Sequence, residues 1–375
     1  MASLTAPRPG VAFAPPPAML GTALAAGTVV AFAAAQGGFF PSSWRAGSVV
    51  LSAVSCLVLL WTPVRRTRAT IVLVVPLLAY LALSLASVSW SADRSASLVD
   101  AERTILYLTG LAAFALVGEG LAAGVALGAG IVGAWALVGR IVTGAHRDPY
   151  EGTLLTGPIG YANGLGALAA IGIVVCAGLA LQHRRMRYAL PLGFLVPVLA
   201  LTGSRAGMLA AALGCAVAGA LRWRQRAIAA LLVVSATAVL AILYVRTPGF
   251  LGDRASYWDA ARTTVEAHPF GGSGAGTFGV VHRHAPYARD AHSLYLQAFS
   301  EVGVVGALLV VALLAFPLAV AIRRGLIVPA AGLTVFVLHA GVDWDWQLPA
   351  VTLAALALAA DATRKRSVKS VHTSV

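Results

Sequence analysis

Arg205 is the only charged residue between Pro191 and Leu221, in the stretch LTGSRAGMLA. A planar guanidinium binds phosphate oxygens in pairs. At the first turn of a helix it is reinforced by free backbone N–H groups. Its neighbours Gly203, Ser204, Ala206 and Gly207 are small enough to let a ligand reach the backbone. An arginine snorkelling to a membrane surface is the competing reading. Downstream, DRASYWDAARTTVEA (Asp253 to Ala267) has helical periodicity, with Tyr257, Ala261 and Thr264 on one face. It carries Arg254, Tyr257, Trp258 and Arg262, which could bind an anionic substrate or rest the helix on lipid headgroups. His292 stands where a wet loop meets a long apolar run. An imidazole there suits proton transfer from a hydroxyl; a helix-capping or interfacial histidine is the alternative.

Other polar groups have plainer readings. The GGSGAG run is followed by no Lys-Ser/Thr pair, so it reads as a flexible loop beside a site and not as a nucleotide cradle. His268, His282 and His284 cluster nearby, but no cysteine or carboxylate completes a site, so no metal is expected. Glu301 falls on the helix face opposite His292, which gives no His–Glu pair. His339 and Asp343 are four residues apart and could face each other. Trp344 and Trp346 read as interface anchors. Cys56, Cys176 and Cys215 lie inside apolar runs and read as packing residues.

Such groups need elements to hold them. Only 11% of the 375 residues are charged and 59% are hydrophobic, against roughly 25% charged in soluble domains. This composition implies an integral membrane protein in contact with a lipid bilayer. Apolar runs fall at 18–37, 44–62, 69–89, 104–118, 121–142, 159–181, 189–202, 206–221, 227–245, 293–321, 327–341 and 349–361. They give an all-α, polytopic fold of about twelve transmembrane helices. As one helix, Pro191–Leu221 would reach about 46 Å, well beyond a hydrocarbon core of roughly 30 Å.

Charge distribution decides that question. Arg65-Arg66, Arg184-Arg185, Arg222 to Arg226, Arg323-Arg324 and Arg364 to Lys369 fall on one side if the run is two helices, with Arg205 at the turn. Of the 14 acids only Glu119 and Asp361 share that side. The net charge of +13 is therefore topological and implies no nucleic-acid partner. One membrane domain is expected over 1–375, with cytoplasmic tails at about 1–17 and 362–375. A long extracytoplasmic loop, about 246–291, joins helices nine and ten and carries a short surface helix. Arg8 and AFAAAQ have features of a signal peptide, but a retained first helix is expected.

Taken together, LTGSRAGMLA, DRASYWDAARTTVEAHPFGGSGAGTFG and AHSLYLQAFSEVGVVG resemble the O-antigen ligase/polymerase family of bacterial polysaccharide membrane proteins. SWSADRSASL (Ser89 to Leu98) and GPIGYANGLGALAA (Gly157 to Ala170) also look like family segments, and the likeness covers about 85–355. The resemblance implies a GT-C-like helical bundle in the inner, cytoplasmic membrane, with its active site on the extracytoplasmic face. It implies a glycosyltransferase that moves a glycan from undecaprenyl pyrophosphate to a saccharide or glycolipid acceptor, without metal or cofactor. Ligase and polymerase share these motifs: the one uses lipid A-core or another envelope acceptor, the other a further repeat unit. By motif position Arg205 and Arg254 hold the pyrophosphate and His292 activates the acceptor hydroxyl. A polytopic transporter or flippase, or a membrane-anchored assembly subunit, is the competing class.

Overall fold

The computed structural model describes residues 17–61, 68–145, 147–246, 253–282 and 289–364. Arg8, Arg65, Arg66, His284, Lys365, Lys369 and the segment 247–252 lie outside the described residues. Regular structure among the described residues is helical: α1 Pro17–Ala34, α2 Pro41–Trp61, α3 Arg68–Ser87, α4 Arg94–Val117, α5 Leu121–Thr143, α6 Ala162–His183 and α7 Leu192–Thr202. There follow α8 Arg205–Arg222, α9 Arg226–Arg246, α10 Arg254–Ala267, α11 Phe278–Val281, α12 Leu294–Arg324, α13 Ile327–His339 and α14 Pro349–Thr363. Six of these, α2, α5, α6, α8, α9 and α12, are long and apolar enough to cross a bilayer, and five apolar helices are shorter.

Burial follows the sequence pattern. A helix apolar all round belongs in a core, and every residue of α14 is buried, against α1, α4, α12 and α13. Peripheral helices instead expose large apolar side chains, such as Leu60, Leu209, Leu231 and Val245. Bare apolar surface of this extent is stable only in lipid. Where α1 crosses α5, Gly124 and Gly128 bring the backbones together; a Cβ at Gly124 would lie 2.6 Å from Thr22 O. Small residues serve helix contacts inside membranes in this way.

Two boundaries bear on the site. The span expected at 104–118 begins ten residues earlier, at Arg94, because its charges are satisfied internally. Asp93 caps the helix by accepting from the backbone N–H of Ser95 and Ala96, and Asp100 pairs with Arg103, both buried. The Pro191–Leu221 run is two helices, as the charge alternation requires. α7 closes on Gly203 in the left-handed conformation (φ 64°), and Ser204 Oγ caps α8 by accepting from Gly207 N at 3.2 Å. Arg205 is the first residue of α8.

Helix α12 bends at Val302–Gly303, where Gly303 has φ 71°. A Cβ there would sit 2.0 Å from Phe270 O. Gly303→Ala should therefore cut the yield of monodisperse protein sharply in size-exclusion chromatography. Gly139→Ala, with open space around it, should leave the yield intact or raise it slightly. Equal yields would show that the bend is not required.

Candidate functional site

The connection between α13 and α14 carries Asp343, and the site is assembled around it. Its side chain is fully buried. A buried carboxylate is tolerated only when paired and hydrogen-bonded, and four groups meet it. Arg254 donates from Nη2 to Oδ2 at 2.9 Å, and its Nε donates to Val342 O at 2.8 Å. Tyr161 OH and Trp344 N donate to Oδ1 at 2.7 and 2.9 Å. His292 Nδ1 lies 3.5 Å from the same Oδ1. Burial pushes the Asp343 carboxyl up, but His292, His339 and Arg254 outweigh it and hold the group well below the usual carboxylate range. Burial and then the Asp343 charge push the Tyr161 phenol far up, so it remains a donor. Burial works against the Arg254 charge, and Asp343 more than restores it.

His292 is held on every side. Its backbone is left-handed at φ 48°, a conformation that costs a non-glycine residue energy. Trp258 Nε1 donates to its carbonyl at 3.3 Å, and Ser293 Oγ caps α12 directly after it. The Tyr257 ring stacks on the imidazole at 5.2 Å, and Trp344 meets it edge-on at 6.2 Å. Nδ1 is buried and faces Asp343 without a hydrogen bond, which leaves Nε2 as the other ring nitrogen. His292 and Arg254 keep 24% and 29% of their side chains exposed, so both can be reached from outside.

Arg205 is exposed and joins this end of the bundle through its neighbour. Ser204 Oγ lies 3.5 Å from His339 Nε2, and His339 Nδ1 lies 2.7 Å from Asp345 Oδ2. Serine, histidine and aspartate in this order have the chemistry of a hydrolase triad. Here Ser204 is buried and its oxygen caps α8, so the set ties the start of α8 to the Asp343 connection.

Several residues stand elsewhere than their spacing led us to expect. Trp258 is fully buried, and it positions His292 in place of meeting a substrate. Arg262 pairs with Asp259 on an exposed face, away from the Asp343 cluster. His339 pairs with Asp345, not with Asp343. Trp346 is buried against Tyr107 at 4.5 Å and Trp344 packs on Tyr161, so neither is a membrane anchor. The GGSGAG run is clamped, not flexible. Gly276 N and Phe278 N donate to the two Glu301 oxygens at 2.9 and 3.1 Å, and Ala275 N donates to Ser87 Oγ. Glu301 is thus turned away from His292, as the helix rotation requires. His282 bonds Thr264. Sequence reasoning missed Asp343 as the hub and Tyr161 altogether; two acids in the otherwise apolar DWDWQLP were the available signal.

An apolar helical bundle with a cation, an imidazole and a shared carboxylate at one end defines a multi-pass membrane protein with a polar site at its surface. Residues 190–311 match the O-antigen ligase family, the family that the motifs resemble. The matched segment contains Arg205, Arg254, Tyr257 and His292, and it supports a ligase- or polymerase-like function. No curated protein matches the chain.

The Asp343 charge gives a pH-dependent test. Its folded pKa lies below the unfolded value of about 3.9, so its contribution is complete above roughly pH 4 and is lost as pH falls toward the folded value. Asp343→Asn should destabilise the protein in detergent at pH 7 by on the order of 1–3 kcal/mol, read as a lower thermal midpoint. The gap from wild type should begin to narrow as pH falls below about 4 and go on narrowing toward the folded pKa. A gap that is unchanged at pH 3 would show that the charge is not what stabilises the cluster.

Proposed function

We propose that the chain transfers a glycan from undecaprenyl pyrophosphate to an acceptor hydroxyl, as a ligase to lipid A-core or another envelope acceptor or as a polymerase of lipid-linked repeat units. The supporting observation is the single carboxylate, Asp343, that holds Arg254 and His292 together at 2.9 and 3.5 Å. In this reading His292 Nε2 takes the proton as the acceptor oxygen bonds to the anomeric carbon. The bond from that carbon to the pyrophosphate oxygen breaks with its electron pair. The leaving undecaprenyl pyrophosphate gains charge, which Arg254 and Arg205 offset. Arg254 Nη1 lies outside both of its protein bonds and is the atom to meet the phosphate. Asp343 orients the imidazole and stabilises its protonated form. Tyr257, stacked on His292, lines the donor side. The partners are thus a lipid-linked glycan, a saccharide or glycolipid acceptor and the bilayer, in the inner membrane with the site outside.

Arg205→Ala, Arg254→Ala and His292→Ala should each reduce transfer by at least about 100-fold with a lipid-linked oligosaccharide and candidate acceptors, products read by mass. The variants should accumulate normally. Wild-type transfer by all three would overturn the assignment, and substrate uptake into proteoliposomes without a glycan product would favour a transporter. Sidedness is tested in a cysteine-free background. Phe270→Cys, at a highly exposed position next to α12, should react with an impermeant maleimide added outside. Met186→Cys, equally exposed in the connection between α6 and α7, should not. The reverse pattern would put the site on the cytoplasmic face.

A further inference from the structure

Beside the Asp343 cluster lies a second polar space that the transfer chemistry does not use. It is a cavity of about 350 Å³ walled by the first turns of α4, the glycine loop and the residues just before His292. Its polar lining is Asp100, Arg103, Arg289, Asp290, Gln297 and Gln347. Asp290 is two residues from His292, a reach of about 7 Å. Trp344, which meets the imidazole edge-on, lines a small void of about 10 Å³ that Asp100, Arg103, Gln297 and Gln347 share with the cavity.

The cavity differs from the Arg254 site in charge. Two arginines and two aspartates line it, so it carries no net charge and offers a phosphate no advantage. Hydrogen-bonding groups alternate instead. Asp290 Oδ1 accepts from Gln297 Nε2 at 3.2 Å and from Gln347 Nε2 at 2.7 Å. Among the described residues Gln347 Oε1 and Arg103 Nε have no hydrogen-bond partner, although only 4% of Gln347 and 7% of Arg103 is exposed. A cavity whose lining residues carry an unpaired acceptor and an unpaired donor suits a ligand that supplies both. Sugar hydroxyls do so, and a pocket of this size holds a small ligand.

We propose that this cavity binds an uncharged sugar ring of the saccharide substrate and holds it next to His292. Gln347, Arg103 and Asp290 take its hydroxyls. That the sugar is a substrate rests on the transfer reading; that a sugar binds does not, and binding is read without turnover. The full chain in detergent micelles is tested by saturation-transfer difference NMR with glucose, galactose, mannose, rhamnose and N-acetylglucosamine, each at millimolar concentration. At least one should give a signal in wild type. The signal should fall at least about fivefold in Gln347→Leu, which leaves hydroxyls unpaired, and in Val99→Trp, which fills the cavity. Should Val99→Trp fail to fold, Gln347→Leu alone decides. In a transfer assay Gln347→Leu should raise KM more than it lowers kcat. A KM rise for the acceptor places the ring in the acceptor, and one for the donor places it in the donor glycan. No signal from any sugar, a signal indifferent to Gln347→Leu, or displacement of the sugar by sodium pyrophosphate would overturn the proposal. Loss of sugar binding with intact sensitivity to His292→Ala would sink this subsite and leave the transfer reading standing.

Discussion

The buried charge on Asp343 is the constraint around which this end of the molecule is built. An isolated carboxylate out of water costs far more than a loop connection can supply. It is stable because Arg254 comes from α10, His292 from the start of α12, Tyr161 from the start of α6, and Trp344 N from its own connection. Three segments far apart in sequence are thereby fixed to one atom group. The same bonds set the chemistry: the carboxylate that anchors the guanidinium also aims the imidazole. In the proposed transfer reading, stability and function draw on one interaction, so neither can be changed alone.

The constraint extends two residues further. Asp345 is also fully buried, and His339 pairs with its Oδ2 and reaches Ser204. The α13–α14 connection therefore carries two acids facing two histidines. One pair serves the open site, and the other stays dry and holds the first turn of α8. In the proposed reading Arg205 belongs to the site without contacting Arg254. Its place is fixed through Ser204, whose oxygen caps the helix that Arg205 begins.

Much of this was legible in the sequence because lipid leaves few options. Helix limits followed from apolar run lengths, and the break at Gly203 followed from basic clusters that had to share one side. The surface helix α10 was readable from its periodicity. Pairings were not readable, because spacing constrains only neighbours on one helix. His339 and Asp343 have the right separation, yet α13 ends at His339 and the chain turns, which brings Asp345 round instead. Trp258 and Trp344 look alike as aromatic residues near charges; which is buried depends on what packs above them. The first turns of α4 read as loop because they carry Arg94, Asp100, Glu102 and Arg103, whereas the Asp100–Arg103 pair lets them enter the bundle.

The turn that carries Arg205 follows the short helix α7. At 11 residues that helix covers about 16 Å, roughly half of a hydrocarbon core. α8, with 18 residues, covers about 27 Å. The 147–161 segment lies over the turn between them: Leu155 N donates to Leu201 O, and Leu154 packs over Gly203. Arg205, the first residue of α8, is exposed at this turn. In the proposed transfer reading it meets the pyrophosphate there, while the lipid tail of the same molecule remains in the bilayer. The short helix, the glycine turn and the serine cap are one device for placing a single arginine at this end of the bundle.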